Sequence, residues 1–263
     1  MNHHIHRFED KAVIITGGAG GIGLTTAIRL ASEGAKITLV DIAEDGLQKA
    51  KQQVVDAVPT AQVITCVADV SNEDQVKNYV ATTLEAFGSI DGFFNNAGID
   101  GKRFPLPEYT PEEFERVMTI NSTGVFLGLK HVLEHMAKQG SGAIVNTASI
   151  GGILGWSSQY GYIASKHAVV GMTRAAAAEF ACKGLQINAV APGGIKTPMA
   201  AEAMERLNPD DPQAAERQFA SRIPARRMGT PEEIAGTVAF LLSEDAAYIN
   251  GQIILVDGGQ TCQ

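Results

Sequence analysis

The sequence contains few cysteines and no long hydrophobic run. Its three cysteines are an odd number and lie far apart, at Cys66, Cys182 and Cys262. This distribution argues against a disulfide framework or a zinc site and favours a reducing compartment. No apolar run is long enough to span a membrane, and the polar first ten residues lack the apolar segment of a secretion signal. These absences predict a cytoplasmic protein without a membrane partner.

Clusters of positive charge are also missing. Lys and Arg total 21 against 29 Asp and Glu, the net charge is −8, and Arg226 and Arg227 form only an isolated pair. Because nucleic-acid-binding proteins concentrate Lys and Arg on one face, this composition argues against a nucleic-acid partner. We expect His3, His4 and His6 to belong to a frayed terminus, and we predict no metal site.

What the sequence does contain is a regular alternation of strand and helix patterns. Seven strands are predicted from short β-rich apolar runs, at 12–16, 36–40, 62–67, 92–95, 142–147, 185–190 and 252–256. Helical periodicity predicts helices at 22–33, 44–58, 72–87 and 159–182. Two further helices are predicted to begin at capping boxes, one running from Thr110 to about residue 139 and the other from Thr230 to residue 243. Such alternation is typical of a parallel sheet covered on both faces. We therefore predict an α/β fold, Rossmann-like and doubly wound, with 1–263 as a single domain.

Local signals add detail at two places. Ser71 is the predicted N-cap of the third helix. Residues 197–227 break the alternation, because they contain four prolines and only weak helical patterns. A long insertion late in a compact domain is often a lid, so we predict that 197–227 covers the substrate. An irregular surface loop is the alternative.

A glycine-rich turn follows the first predicted strand, with glycines at 17, 18, 20, 21 and 23. Such a turn lets backbone N–H groups approach a pyrophosphate at the start of the next helix. Asp41 ends the second strand, where a carboxylate accepts hydrogen bonds from the adenosine ribose and repels a 2′-phosphate. No Arg among residues 17–23 offsets that repulsion, so the pattern predicts NAD rather than NADP. The alternatives are an ordinary Gly-rich turn and a solvated acidic residue.

Tyr162 and Lys166 are four residues apart, which places both side chains on one face of a helix. An ammonium beside a phenol favours the phenolate and lowers its pKa from the usual value of about 10. The pair could then exchange a proton with an alcohol or ketone near neutral pH, with Ser149 hydrogen-bonded to the same oxygen. Tyr160 is not placed to do so, because Lys166 follows it by six residues. A Tyr and a Lys on an ordinary amphipathic helix are the alternative.

Six motifs, in order along the chain, resemble those of the short-chain dehydrogenase/reductase family in its shorter, single-domain branch. They are Thr16-Gly17-x-x-x-Gly21-x-Gly23, Asn95-Asn96-Ala97-Gly98, Asn121, Ser149 with Tyr162 and Lys166, Pro192-Gly193-Gly194-Ile195-x-Thr197, and Asp257-Gly258-Gly259. The resemblance covers the chain from about Arg7 onward. It implies an NAD-dependent alcohol dehydrogenase or ketone reductase that assembles as a homotetramer.

The resemblance also implies roles for individual residues. Tyr162 would be the acid or base, and Lys166 would hold the nicotinamide ribose and lower the pKa of Tyr162. Ser149 would orient the substrate oxygen, and Asn121 would hold a water linked to Lys166. Cofactor contacts are implied for Gly17, Gly20, Gly21, Ile22, Gly23, Asp41, Ile42, Asp69, Val70, Asn95, Ala97, Gly98, Tyr162, Lys166, Ile195 and Thr197.

The expected substrate is an uncharged, moderately hydrophobic ketone or secondary alcohol. Its candidate pocket residues are mostly apolar, at 99–103, 150–152, Trp156, Gln159, Met199 and Met204. A further resemblance to one family member that acts on a cyclic diketone implies a cyclic substrate. Some family members that end in Gln bind magnesium there, but for Gln263 a disordered tail is the favoured expectation.

Two other function classes stay open at this point. A sugar-nucleotide epimerase or dehydratase also uses Tyr-x-x-x-Lys, but usually in a longer chain with a second substrate domain and a different glycine spacing. A non-catalytic module that senses NAD is the other class. Loss of the tyrosine or the lysine would favour it, and both are present.

Overall fold

One parallel sheet organises the molecule. The computed structural model describes residues 6–262, so the expectations for His3, His4 and Gln263 lie outside the described residues. The strands of the sheet are β1 Ala12–Thr16, β2 Lys36–Asp41, β3 Val63–Val67, β4 Gly92–Asn95, β5 Gly142–Thr147, β6 Leu185–Pro192 and β7 Ile253–Val256. They lie in the order β3-β2-β1-β4-β5-β6-β7, and each neighbouring pair is parallel. The predicted seven-stranded, doubly wound α/β fold is confirmed.

Helices connect the strands and cover the sheet. They are α1 Gly21–Ser32, α2 Glu44–Ala57, α3 Glu73–Phe87, α4 Pro111–Met118, α5 Gly124–Gln139, α6 Tyr160–Phe180, α7 Pro198–Leu207, α8 Pro212–Ala220 and α9 Pro231–Leu242. Most begin and end within two residues of the predicted positions, because the apolar periodicity and the flanking Gly and Pro residues mark them well.

The core consists of two apolar layers, one on each face of the sheet. Side chains from α1, α2 and α9 pack together with Val13 and Ile15 of β1 on one face. Side chains from α3, α5 and α6 pack with Ile14 on the other face. Successive strand residues point to opposite faces, so a strand buried on both sides has to be apolar throughout, as Ala12–Thr16 nearly is.

The strand order reverses next to β1, and this reversal opens the site. β1 pairs with β2 on one side and with β4 on the other, so the connections that leave β1 and β4 run in opposite directions. Thr16, the last residue of β1, joins the end of this strand to the loop after β4, because its hydroxyl oxygen accepts the N–H groups of Asn96 and Ala97 at 2.9 and 3.1 Å. A crevice at the carboxyl ends of the strands is the usual ligand site in such sheets.

One predicted N-cap differs from the structure. The N-cap of α3 is Asn72 rather than Ser71: the Asn72 side chain accepts the N–H groups of Asp74 and Gln75. Ser71 instead donates its hydroxyl to Asp69 at 2.7 Å, which closes the preceding turn. At both positions the side chain is short and polar, so propensity alone could not separate them.

The helix predicted from Thr110 to about residue 139 is interrupted by a π turn. Thr110 caps α4 as expected, accepting the Glu113 N–H at 3.3 Å. The Glu113 carboxylate does not complete the capping box; it accepts the Lys102 N–H at 2.7 Å and pairs with Arg116. Residues Thr119–Thr123 then form a π turn before α5 begins. A π turn adds a residue to the helix and often marks a functional site.

The segment 197–227 is more regular than the sequence indicates. It contains α7 and α8, each with Pro in its first turn and capped by Thr197 and Asp211 respectively. Two of the four prolines, Pro198 and Pro212, therefore start helices, at a position where a missing N–H costs nothing.

Candidate functional site

A cavity of about 790 Å³ lies at the carboxyl ends of the strands. One end is lined by the glycine turn and Asp41, and the other by the loop after β4 and the helices α7 and α8. Predicted site residues on its wall are Gly17, Gly20, Gly21, Ile22, Asp41, Ala97, Gly98, Ser149, Tyr162, Lys166, Ile195 and Thr197. We call the first end the cofactor end and the second the substrate end.

The glycine turn is packed too tightly for side chains at Gly17 and Gly23. A Cβ at Gly23 would lie 2.1 Å from the carbonyl oxygen of Gly17, and Gly17 itself has a φ of +66°. Gly20 faces open space, and α1, which begins at Gly21, has no acidic residue in its first turn. Free N–H groups at the start of a helix, with no carboxylate in its first turn, favour an anion such as a pyrophosphate.

Asp41 is held in place by two backbone groups. Its carboxylate accepts the N–H of Ala19 at 3.1 Å and the N–H of Ala43 at 3.2 Å. The side chain therefore links the glycine turn to the end of β2 and presents its charge at the wall of the cavity. The structure fits a dinucleotide here, because an anion site and a fixed hydrogen-bond acceptor lie on one wall.

The side chains of Tyr162, Ser149 and Lys166 meet in the middle of the cavity. Ser149 is hydrogen-bonded to the Tyr162 phenol, and its oxygen also accepts the Gly151 N–H at 3.0 Å. The Lys166 Nζ lies 5.7 Å from the centre of the Tyr162 ring and donates to the Thr147 carbonyl oxygen at 2.8 Å. The helix spacing brings the three groups together as predicted.

Burial is the main cause of the pKa shifts of Tyr162 and Lys166. It raises the pKa of Tyr162, against the smaller lowering effect of the Ser149 hydrogen bond, and it lowers the pKa of Lys166 to about 8. Lys166 was expected to lower the pKa of Tyr162, and in the protein alone this does not occur. The ammonium points at the Thr147 carbonyl, and removing the phenol from water has the larger effect.

Asn121 lies in the π turn and is fully buried. Its side-chain oxygen accepts the N–H of Ile99 at 2.8 Å, and its amide group donates to the Ile99 carbonyl and to Ser165 at 2.9 and 3.2 Å. The side chain thus ties the loop after β4 to α6. Its amide is fully used by these contacts and does not reach the cavity wall.

Some predicted cofactor residues lie away from the cavity. Asn95 is buried and donates to Val125 and Asn146 inside the sheet, while its neighbour Asn96 lines the wall. Ile42 is 69% exposed beside the cofactor end. Gly23, Asp69 and Val70 are also absent from the wall among the described residues.

The substrate end is built from side-chain contacts between loops and helices. Gln159 donates its amide to Asp100 at 2.6 Å and accepts the indole N–H of Trp156. Asp100 also pairs with Arg206 of α7 at 3.2 Å and with Arg103 at 3.5 Å. Apolar residues complete this end, among them Ile150, Met199, Met204, Leu207, Phe219 and Met228.

Several residues of the site were not identified from the sequence. Thr147 contributes a backbone carbonyl, which no side-chain pattern reveals. Arg206 looks like an ordinary exposed residue of a helix until the fold places it over Asp100. Asn96 belongs to the Asn95-Asn96-Ala97-Gly98 motif, but only the structure shows that it lines the cavity.

Among the described residues, no group of three or more His, Cys, Asp or Glu side chains could hold a metal ion. Within residues 6–262 there is also no helix long and apolar enough to cross a membrane.

Comparison with known proteins gives matches over almost the whole chain. A family model described as enoyl-(acyl carrier protein) reductase matches residues 17–261. Levodione reductase from Leifsonia aquatica is 53% identical over 97% of this chain and 96% of its own length. Cyclohexanol dehydrogenase from Acinetobacter sp. (strain SE19) is 38% identical over 97% of each chain.

Solved structures agree with these sequence matches. The crystal structure of levodione reductase superposes with a TM-score of 0.95 at 52% identity, covering 97% of this chain and 99% of the other. The structure of NAD⁺-bound xylitol dehydrogenase gives 0.91 at 37% identity, covering 96% and 99%. With the ordered motifs and the geometry of the cavity, these matches show that the chain belongs to the short-chain dehydrogenase/reductase family and is an oxidoreductase.

Proposed function

We propose that this protein transfers a hydride between NAD(H) and an uncharged cyclic ketone or secondary alcohol. The observation that carries the proposal is the placement of Tyr162, Ser149 and Lys166 on the wall of the same cavity as the glycine turn and Asp41. A proton donor and a dinucleotide site that share one cavity are what ketone reduction requires.

The protein's part in the reaction is to bind, orient and move one proton. When bound, NAD(H) supplies or accepts the hydride at the carbon atom. In reduction, the carbonyl oxygen takes the proton of the Tyr162 phenol; in oxidation, the phenolate takes it back. The raised pKa of Tyr162 favours the protonated form that reduction needs. The Ser149 oxygen accepts the Gly151 N–H, which leaves its own hydroxyl proton available for donation to the substrate oxygen when substrate is bound.

Lys166 positions the nicotinamide ribose. One of its three N–H groups is taken by the Thr147 carbonyl, and the others are free to donate to ribose hydroxyls. The side chain of Asn121 is occupied by Ile99 and Ser165, so its main-chain carbonyl is the group that would hold the water linked to Lys166. Ile195 and Thr197 line the cavity and would contact the carboxamide of the nicotinamide.

NAD is the cofactor, and the charge of Asp41 explains the preference over NADP. Asp41 is fixed at the cofactor end with no Arg among residues 17–23 to neutralise a 2′-phosphate. The relative crystallised as NAD⁺-bound xylitol dehydrogenase supports this assignment. Ile42, Asp69 and Val70, outside the lining of the cavity, would hold the adenine.

The cyclic nature of the substrate is supported by the relatives and by the shape of the substrate end. Levodione reductase and cyclohexanol dehydrogenase are both named for cyclic compounds. The wall formed by Ile150, Met199 and Met204 is apolar, as a ring of CH₂ groups requires. Within this end, Lys102 does not line the cavity, and Arg103 is paired with Asp100.

Residues 1–263 form a single domain in this proposal, with 197–227 as a lid over the substrate. α7 and α8 place Met204 and Phe219 against the cavity, and Arg206 ties the segment to the loop after β4. These contacts support the lid, because each joins 197–227 to the wall opposite the cofactor end.

The protein is proposed to be a cytoplasmic homotetramer. Phe114 of α4 and Phe126 of α5 are large apolar side chains exposed at the surface, which supports burial of these helices against a second copy. Exposed thiols at Cys182 and Cys262 support a reducing compartment. Light scattering at micromolar concentration would return four times the chain mass, and a monomeric mass would contradict the assembly.

Nothing in the comparisons supports the two other function classes. The chain matches its relatives over nearly their full length, leaving no second substrate domain of the epimerase kind. Tyr162 and Lys166 face the cavity, which a module that only senses NAD does not require.

The experiment is a panel of turnover assays that follow NADH absorbance. Cyclic ketones are expected to be reduced faster than aliphatic ketones, and sugar nucleotides are expected to be inert. The same panel with NADPH measures the cofactor preference. A protein that binds NADH but turns over none of these compounds would contradict the proposed function.

A further inference from the structure

The substrate end includes the amide of Gln159 among its polar lining groups. The residue is only 2% exposed and lines the cavity. It occupies the N-cap position of α6, three residues before Tyr162, so both side chains leave the same side of the helix. The rise of an α-helix separates their positions by roughly 4.5 Å along the axis.

The orientation of this amide is set by its partners. The indole N–H of Trp156 can only donate, so it must meet the Gln159 oxygen. The Asp100 carboxylate accepts the amide nitrogen at 2.6 Å. One of the two amide N–H groups of Gln159 is thereby used, and no second acceptor is found for the other within the described residues. A buried N–H without an acceptor costs free energy, which a ligand oxygen would recover.

Asp100 fixes the amide of Gln159 in place through a charge-assisted hydrogen bond, and its carboxylate is mostly buried. The Trp156 N–H that is donated to the amide oxygen polarises the amide and strengthens its remaining N–H as a donor. Arg206 and Arg103, at 3.2 and 3.5 Å, compensate the negative charge of Asp100. Burial is the main cause of the raised pKa of Tyr162, the Ser149 hydrogen bond opposes it, and the charge of Asp100 raises the pKa further, so this network lies near the reacting phenol.

We infer that Gln159 is a specificity-determining residue: its free amide N–H binds a second oxygen on the substrate ring, away from the carbonyl that Tyr162 serves. The preferred substrates are then cyclic diketones or hydroxyketones rather than simple cyclic ketones. Asp100 is the positioning residue that holds the amide. This inference rests on the proposed ketone reduction and assigns its substrate class.

The test compares two ketones that differ only in the second oxygen, cyclohexane-1,4-dione and cyclohexanone. In the unaltered enzyme, kcat/KM is expected to be higher for the dione by more than the factor of two given by its two carbonyls. Gln159→Leu should lower kcat/KM for the dione about 10- to 100-fold, mainly through KM, and change the value for cyclohexanone less than about threefold. Gln159→Met repeats the test if the Leu variant does not fold.

A matched control is Gln52→Leu, because Gln52 donates to Asp56 at 2.7 Å in the same manner on the exposed surface of α2. It should leave both ketones unaffected. An equal loss for both ketones in the Gln159 variants would show that the residue only supports the loop at Trp156, and no loss for either would show that it does not touch the substrate; both results overturn the inference. Failure of the unaltered enzyme to reduce either ketone would instead overturn the proposed function.

Discussion

The two ends of the cavity are held in place by different parts of the chain. At the cofactor end, backbone atoms make the contacts: the N–H groups of Ala19 and Ala43 fix Asp41, and Gly23 packs on the Gly17 carbonyl. At the substrate end, side chains from distant segments hold one another, as Gln159 and Arg206 hold Asp100. A backbone-built end tolerates little change, whereas a side-chain-built end can change its ligand without disturbing the sheet.

Tyr162 lies where the two ends meet, and its removal should have the largest effect. Tyr162→Phe deletes the transferable proton, so kcat should fall about 10²- to 10⁴-fold, while NADH binding at the cofactor end is retained. Tyr160→Phe is the control, because the Tyr160 ring packs against Tyr109 with a centroid distance of 5.7 Å and does not line the cavity. The readouts are kcat and the NADH Kd, with circular dichroism to check folding. An inactive Tyr160→Phe with an active Tyr162→Phe would refute the catalytic assignment.

The next largest effect is expected on the stability of the protein, through Lys166, which lies between the cofactor end and the substrate end. Burial lowers the pKa of Lys166 from 10.5 to about 8. Between pH 8 and pH 10.5, the folded protein has therefore lost this proton, whereas the unfolded chain still holds it. Folding is therefore penalised below pH 8, and the penalty disappears as the pH rises towards 10.5. Lys166→Met removes the buried charge and should stabilise the protein without cofactor at pH 7, by at most about 3 kcal/mol.

The measurement is the free energy of unfolding of both proteins in urea at pH 7 and at pH 10. The advantage of Lys166→Met should be largest at pH 7 and nearly absent at pH 10, although the variant is inactive at both. A constant difference at the two pH values would show that the charge of Lys166 is not the cause.

Asp41→Ala tests the cofactor end alone. Removing the carboxylate removes the repulsion of a 2′-phosphate, so the ratio of kcat/KM for NADH over NADPH should fall on the order of 10- to 100-fold. The KM for the ketone should not change, because Asp41 lies at the opposite end from Gln159. An unaltered enzyme that works better with NADPH than with NADH would show that the role given to Asp41 is mistaken.

The smallest effect is expected at the lid. Arg206→Met breaks the ion pair with Asp100. Because the Arg206 side chain is half exposed, the lost interaction should be worth about 1 kcal/mol or less. We expect a KM for the ketone raised up to about fivefold, with kcat and NADH affinity unchanged. Arg217→Met is the matched control, since Arg217 pairs with Asp211 at 3.4 Å within the same lid. Equal effects of the two variants would argue against a contact between the lid and the pocket wall.

The same contrast explains which features could be predicted from the sequence. Local patterns determine the strands, the glycine turn and the four-residue spacing of Tyr162 and Lys166, and the structure places these as predicted. The π turn at Asn121 has no such signature, because local propensity does not distinguish it from the α-helix on either side. The hydrogen bonds and ion pairs around Asp100 could not be predicted from the sequence either, because the fold brings their residues together from positions up to 106 residues apart.

The sign of the Tyr162 pKa shift illustrates a second limit. The sequence shows which charges can approach the phenol, and it led to the expectation that Lys166 would lower the pKa. It does not show how completely the phenol is removed from water, and this burial has the larger effect and raises the pKa.

The packing of Gly23 on the Gly17 carbonyl has a practical consequence for directed evolution of this protein. A Cβ at 2.1 Å from a backbone oxygen cannot be accommodated by repacking, so random codons at Gly23 would mostly yield unfolded clones. A library intended to alter the nucleotide requirement should keep Gly17 and Gly23 constant and randomise Asp41 and Ile42 instead. At 69% exposure, Ile42 leaves room for a larger or positively charged residue without displacing the core.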